Sequence, residues 1–557
     1  IRGISIDANL SDVEMTLNSC SYFPDESNIV SFAHPEKAYC ENFQEVKDRN
    51  EEILTTLFNG SFNKTTGLFT PVFDVQEGFP VLALKSDVLA DGTSIRFPRL
   101  DNVLTDQSGE SRDDMTCMGA FEKFEIDTVI VRDTIVLGKT YAFNDKNITP
   151  EKIGLFHDTM LVKKGNKEVA QVLKLYVKPD GSRNYFYVKK KAEGNGTGSS
   201  WNNAMSAEDF AFTLPFANSG TKFYVAEGVY NPIYDASGEE SDDPTSLCYR
   251  IKNNITIYGC YPADAKIGAT ADPENHPTIF SGDHKGDDKV VKGVDENGRL
   301  KLTYSNRDDN SKQLFEANKC DVTFNNVIVD GASTGIISNG DVTRFYGNNV
   351  TFRNCDYAVY YTSNKAVIFI DGSKFENISS GCLYTPNGWN TNVTSTVFSG
   401  NTGYIAYSAS EGMMSFDNVS VTGNNAQIYS VNNVELKISN SEFINNDNSG
   451  SLIYMVNADR ETTSITKSLF KDNKNQIFEF YANTSLDIDS CSFIGNSNRI
   501  LYAVGGSKTS IGRCVFEKNI LPAVGGEKRD LIFSYGNVGI KTSSFFLRML
   551  LPSITRR

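Results

Sequence analysis

The 557-residue chain carries 54 Lys and Arg against 69 Asp and Glu, a formal net charge of −15. An acidic chain with no basic stripe argues against nucleic acid or an anionic membrane surface as its partner. With 25 Tyr and 36 Phe among many Asn, Ser, Thr and Gly, the composition suits an exposed β protein better than a helical cytosolic enzyme.

Residues 1–122 come first and read as the tail of a solenoid, because "VEMTLNSCSYF" at 13–23 repeats the logic of "SLDIDSCSF" at 485–493. The segment closes on "DQSGESRDDMTCMGAFE" at 106–122. That stretch resembles the D-x-x-G-x-x-R…G-A-[YF]-E closing motif of bacterial secreted β-helix proteins. The resemblance implies that Asp106, Gly109, Arg112, Gly119, Ala120, Phe121 and Glu122 end a helix and dock its last strand. Residues 123–183 change character. Two apolar–polar alternating stretches, "IDTVIVRDTIVLGKTYAFN" and "GLFHDTMLVKKGNKEVAQVLKLYVKP", flank the polar break "DKNITPEKI", which predicts a small β-sandwich-like spacer. Gly138, Thr140, Tyr141, Phe143 and Asn144 form a stretch similar to one recurring in spacer modules of Bacteroidetes surface proteins.

From residue 184 onward a second solenoid is expected. "GNGTGSSWNNAMS" leads into a short capping helix over 206–217 with Trp201 packed beneath it, and "KFYVAEGVY" supplies the first coil. The strongest signal follows. Phe375, Phe398, Val421, Phe443, Phe470, Phe493 and Phe516 are separated by 23, 23, 22, 27, 23 and 23 residues. Three positions after six of them stands an asparagine: Asn401, Asn424, Asn446, Asn473, Asn496 and Asn519. Five positions before all seven stands an apolar side chain: Ile370, Val393, Phe416, Ile438, Ile465, Ile488 and Ile511. Within a unit the apolar residues alternate, as at Leu486 and Ile488, which is the period of a strand and not of a helix. Equal offsets then become positions stacked ~4.8 Å apart, and nine units from Phe324 to Phe516 make a rod of about 40 Å. The asparagines belong at corners, where they bond turn backbone or take the left-handed conformation. The entry segment, with "FSGN", "FINN", "FKDN", "FIGN" and "FEKN", resembles the F-x-x-N repeats of right-handed, pectin-lyase-like β-helix proteins of the polymorphic outer-membrane-protein type.

Candidates for chemistry are few. Asp371 and Asp417 share the column four residues before the phenylalanines, two coils or about 9.6 Å apart, at the edge of the inverting-glycosidase window. No Arg, Lys or His stands in that column, so solvated corner residues are the plainer reading. The stretch "PTIFSGDHKGDD" gathers Asp283, Asp287 and Asp288, a set of oxygens that suits calcium, with a solvated acidic loop as the alternative. Trp389 in "TPNGWN" offers an indole for stacking on a sugar face, unless it folds over the neighbouring coil. None of the four histidines falls in the regular coils, and G-H-G, R-I-K, G-x-S-x-G and Walker A motifs are absent. Ten cysteines include no C-x-x-C; Cys491 and Cys514 are expected as stacked buried thiols, while Cys248 and Cys260 are candidates to pair in an oxidising compartment.

The expectation is therefore an all-β chain: the end of one β-helix (1–122), a small spacer (123–183) and a right-handed parallel β-helix with an N-terminal cap (184–557). Its expected role is that of a bacterial extracellular or outer-membrane-surface adhesin contacting glycans or neighbouring surfaces without catalysis, as a monomer or part of a larger multi-module chain. A polysaccharide lyase or glycoside hydrolase on the same scaffold is the alternative. No cofactor is expected unless calcium occupies the acidic loop, and no apolar run is long enough to span a bilayer.

Overall fold

The computed structural model describes residues 127–546 apart from 165–166, 341–342, 364, 389, 432–433, 457–461, 482–484, 505–507, 522–529, 535–536 and 542, together with short strands between residues 60 and 117. The chain divides into two compact units. In the first, Gly60–Asn63 pairs with Leu68–Pro71, Phe73–Gln76 with Phe79–Leu82, and Arg96–Pro98 with Met115–Cys117, all antiparallel. The remainder of 1–122, including most of the closing motif, lies outside the described residues.

Strands Asp127–Val136, Gly154–Lys164 and Lys167–Lys178 form a three-stranded sheet with the last in the middle, beside a hairpin of Tyr141–Phe143 and Lys146–Ile148. Phe143, Leu173 and Leu175 make a small apolar centre of their own. Tyr176 on the same sheet stacks on Phe212 of the solenoid cap, with ring centroids 5.5 Å apart and planes at 11°. Ion pairs Lys152–Asp209 and Lys174–Glu240 fasten the same contact.

The cap is needed because a solenoid end exposes its core. Helix α1 (Ala207–Thr213) starts at Ser206, whose Oγ accepts the Asp209 N–H at 3.0 Å and satisfies a first-turn donor. Phe210 on α1 plugs the bore against Phe223, Tyr249 and Phe280. Trp201 does not lie beneath this helix, contrary to the sequence expectation. It is buried in a separate cluster on the outside of the first coils, among Tyr187, Tyr224, Tyr261 and Ala265. The parity of the strands explains the difference: Phe186 and Phe223 point inward, so Tyr187 and Tyr224 must point out and need a cover.

Among the described residues the chain winds through three parallel sheets of 13, 12 and 11 strands, the first starting with Tyr185–Val188 ahead of the cap helix. One coil reads Ser485–Asp489 in the first sheet, Ser492–Ile494 in the second and Leu501–Val504 in the third. Ile465, Ile488 and Ile511 stand in register in one interior file, all buried. Phe375 and Phe398 stack face to face at 4.8 Å, as do Phe443 and Phe470. Burying each such ring contributes roughly 1.5–3 kcal/mol. Phe324 belongs to the isoleucine file, aligned with Gly347 and then Ile370, and Val329 holds the phenylalanine position of that coil.

Both corners flanking the second sheet are built alike. A left-handed residue comes first, such as Ser395 and Asn440 at one corner and Asn445 and Asp472 at the other, and in these coils a buried polar residue follows. After the second corner that residue is asparagine. Asn424 Nδ2 donates to the Phe398 carbonyl (2.9 Å) and to Asn446 Oδ1 (3.1 Å), while its Oδ1 accepts from Asn401 N and Nδ2. The pattern repeats through Asn473, Asn496 and Asn519. At the other corner the buried column is Ser373, Thr396, Val419, Ser441, Ser468, Cys491 and Cys514. Cys491 and Cys514 are buried thiols there, as expected. Cys248 and Cys260 are also free: one precedes a third-sheet strand and the other lies in a first-sheet strand, so no bridge joins them.

Candidate functional site

A column of tyrosines stands on the outer face of the third sheet. Tyr360, Tyr384, Tyr407, Tyr429 and Tyr454 are consecutive in register. Their rings are stacked with centroids 5.0, 4.6, 5.4 and 4.8 Å apart and planes within 9° of parallel. The column arises because five successive third-sheet strands carry apolar residues inward and tyrosine at the alternate, half-buried position, as in Ser451–Val456 with Tyr454. The stack covers about 19 Å of the rod in four steps.

Beside it runs a second column: Tyr357, Gly381, Tyr404 and Gln427. Tyr357 meets Tyr360 at 73° and Tyr384 at 68°, and Tyr404 meets Tyr407 at 60°. The ladder rings lie across the rod, whereas these two have their planes turned along it. Gly381 makes room for this: a Cβ there would come within 3.2 Å of Tyr357 Cδ1. Neither column carries a charge from Tyr357 to Tyr454. Loss of hydration, reinforced by neighbouring phenols, pushes Tyr384 up to about 12 and raises Tyr404 and Tyr407. Those three phenols therefore stay neutral over any physiological pH.

A hairpin of Lys289–Val294 and Leu300–Ser305 borders this face. It is inserted between the second-sheet strand Thr278–Ser281 and the third-sheet strand Gln313–Ala317. The hairpin and its return run along the corner that precedes the tyrosines. Arg307 donates to the Ala332 and Asn354 carbonyls (2.7 and 3.1 Å) and to Asp356 Oδ1 (3.1 Å), with its guanidinium 4.4 Å over the Tyr304 ring. Tyr304 hydroxyl donates to the Asn377 carbonyl, and Asn425 Nδ2 donates to the Leu300 carbonyl at 2.9 Å.

The acidic loop forms the root of that hairpin. Carboxylate oxygens of Asp283, Asp287 and Asp309 lie within 4.8 Å of one another. Asp309 is the residue sequence reasoning missed, since it sits on the far side of the hairpin; the run "RDDN" at 307–310 was the available signal. Asp288 turns away to Asn310 Nδ2 (2.8 Å) and towards Arg307 Nε (3.8 Å). Burial outweighs those two partners and pushes its carboxyl up to about 6.

Asp371 and Asp417 stand in one outer column with Thr394 between them. Thr394 donates to Asp371, and Ser439 Oγ and Asn440 Nδ2 donate to Asp417 at 2.6 and 2.7 Å. Those two donors hold the Asp417 carboxyl below its ordinary range, so it stands as an anion with no proton to give. Trp389 lies outside the described residues. Among the described residues no helix is long and apolar enough to cross a membrane.

Residues 357–516 match the family model described as the right handed beta helix region. The solenoid is thus a right-handed parallel β-helix. No curated protein matches the sequence. Among solved structures, PfbA, a surface adhesin of Streptococcus pneumoniae, aligns over 59% of this chain and 80% of its own at 10% identity, with a TM-score of 0.18. A superposition that loose does not bear on function.

Proposed function

We propose that this chain is an adhesin-type module of a bacterial surface whose tyrosine face binds neutral glycan chains without turning them over. The observation that carries the reading is the pair Tyr357 and Tyr404, set crosswise to an uncharged tyrosine ladder. Sugar rings are bound by the broad side of an aromatic ring together with hydrogen-bonding groups at its rim. Tyr357 and Tyr404 are two coils apart, about 9.6 Å, close to the length of two sugar residues in an extended chain. The phenolic hydroxyls of the ladder and Gln427 supply neutral partners for sugar hydroxyls, and the lack of charge favours neutral over acidic glycans. Fixed by the coil spacing, such a face meets its ligand with little ordering cost.

Affinity electrophoresis of the chain against a panel of neutral and acidic polysaccharides tests this. Retardation by a neutral glycan should weaken about tenfold or more in a Tyr357→Ala/Tyr404→Ala double variant, with no reducing or unsaturated ends released. Equal retardation of the variant, preference for acidic glycans, or release of such ends refutes the reading.

A further inference from the structure

We infer that the hairpin root is a calcium site formed by Asp283, Asp287 and Asp309, which ties the two ends of the hairpin insertion together. Oxygens sharing one calcium ion at ~2.3–2.6 Å can be at most about 5 Å apart, and these three carboxylates satisfy that limit at 4.8 Å. The donor set is all oxygen, which suits a hard cation and not zinc or copper. Asp283 already has its oxygens directed by the loop: Oδ1 accepts the N–H groups of Gly286 (2.6 Å) and Asp287 (3.3 Å), while Oδ2 accepts only that of Asp288 (3.1 Å) and keeps a lone pair for an ion.

Proximity of acids alone does not make a site, and a separate observation points to a ligand. Asp309 is 3% exposed, yet its Oδ1 accepts no hydrogen bond. Its other oxygen takes the Lys285 N–H at 2.7 Å. The Lys285 ammonium pairs with Oδ1 at 3.7 Å, beyond hydrogen-bond reach, on a side chain that is 61% exposed. Next to it Asp288 Oδ1 and Asn310 Oδ1 are also sealed from solvent without a donor. Of these, Asp309 is the one that stands in the carboxylate cluster, and a buried acceptor without a donor calls for a cation or water. Two of the ligands come from opposite ends of the insertion: Asp283 directly follows the strand Thr278–Ser281, and Asp309 precedes the strand Gln313–Ala317. An ion bridging them closes a loop that otherwise depends on Arg307 and Tyr304 to hold its course beside the tyrosine face.

The test uses the full chain stripped with a chelator and titrated with calcium by isothermal calorimetry. Wild type should take up one more equivalent than Asp287→Asn and Asp309→Asn, while Asp371→Asn should match wild type. Asp287 is exposed, so its amide variant retains the fold, which circular dichroism checks. Calcium should also raise the melting temperature of wild type but not of Asp287→Asn, and should slow tryptic cutting after the exposed Lys289, Lys292 and Lys301. Equal uptake by wild type and Asp287→Asn, or hairpin cleavage indifferent to calcium in wild type, overturns the assignment. Glycan retardation is measured separately and does not enter either outcome.

Discussion

Replacing Asn424 by alanine tests the buried asparagine ladder most directly. Asn424 is 1% exposed and engages four groups: the Phe398 carbonyl, Asn446 Oδ1, and the N–H and Nδ2 of Asn401. Asn401 Nδ2 keeps its bond to the Phe375 carbonyl, and Asn446 Oδ1 keeps the backbone N–H of residue 424. Two groups, the Asn401 N–H and the Phe398 carbonyl, lose the partner described here and remain sealed from water. At about 1–3 kcal/mol for each buried orphan, the variant should lose on the order of 2–6 kcal/mol. Asn424→Asp is the sharper probe. It keeps shape and acceptor but places a carboxylate against the Phe398 carbonyl and Asn446 Oδ1, so it should cost at least as much as alanine. Asn392, which points outward on the first sheet, is the control and should change stability by less than about 0.5 kcal/mol as alanine. Urea melts followed by circular dichroism give the midpoints. The ladder argument fails if Asn424→Ala is no worse than Asn392→Ala, or if the aspartate variant melts like wild type.

Four further outcomes follow from the same architecture. Phe398→Ala, which opens a gap against the Phe375 ring at 4.8 Å, should cost about 3–5 kcal/mol in the same urea melts; a loss below about 1 kcal/mol would mean the file is not packed. Cys491→Ser should change the urea midpoint little, within about 1 kcal/mol, because serine already fills the same column at Ser441 and Ser468. Raising pH should destabilise the fold from about pH 10 upward. The unfolded tyrosines ionise there while Tyr384, raised to about 12, does not, so stability present below pH 10 is lost as pH climbs towards 12. Absorbance at the tyrosinate band should lag that of the urea-unfolded chain, and coincident curves would contradict it. Gly381→Ala should displace the Tyr357 ring, which its Cβ approaches to 3.2 Å, and weaken glycan retardation while leaving the melting temperature within a few degrees.

The interior was readable because a parallel coil converts sequence period into vertical stacking. Ile465, Ile488 and Ile511 share an offset and therefore share a file, and the asparagine column followed from the same arithmetic. What the offsets could not convey was burial. Asn401 and Asn377 both sit at corners, but one is fully buried with its side chain bonding across coils, while the other takes a left-handed backbone at φ 56°. The tyrosine ladder was hidden for a related reason. Tyr360, Tyr384, Tyr407, Tyr429 and Tyr454 drift between 22 and 25 residues apart, and each follows inward apolar residues, so they read as more core. Strand parity puts them outside. Asp309 showed only as part of the acidic run "RDDN", and its partners across the hairpin could not be read because a chain reversal fixes them, not the coil period.

The outer faces differ although the backbone beneath them is the same. On the first sheet the outward column runs Tyr346, Phe369, Asn392, Ser415, Lys437 and Ser464, mixing aromatic, polar and charged residues at equivalent heights. That variety shows what the coil tolerates when only solvent is opposite. Five tyrosines in succession on the third sheet are more than coil stability requires, since interior files and corner ladders already align the strands. Stacked phenols do add something: aromatic pairs contribute about 0.5–1.5 kcal/mol each. Yet Phe or Val would stack or pack without a hydroxyl, and Tyr357 and Tyr404 stand crosswise beside the stack instead of extending it. A purely structural ladder has no use for two rings turned along the rod with a glycine cleared between them. On the proposed reading, that arrangement serves the bound glycan.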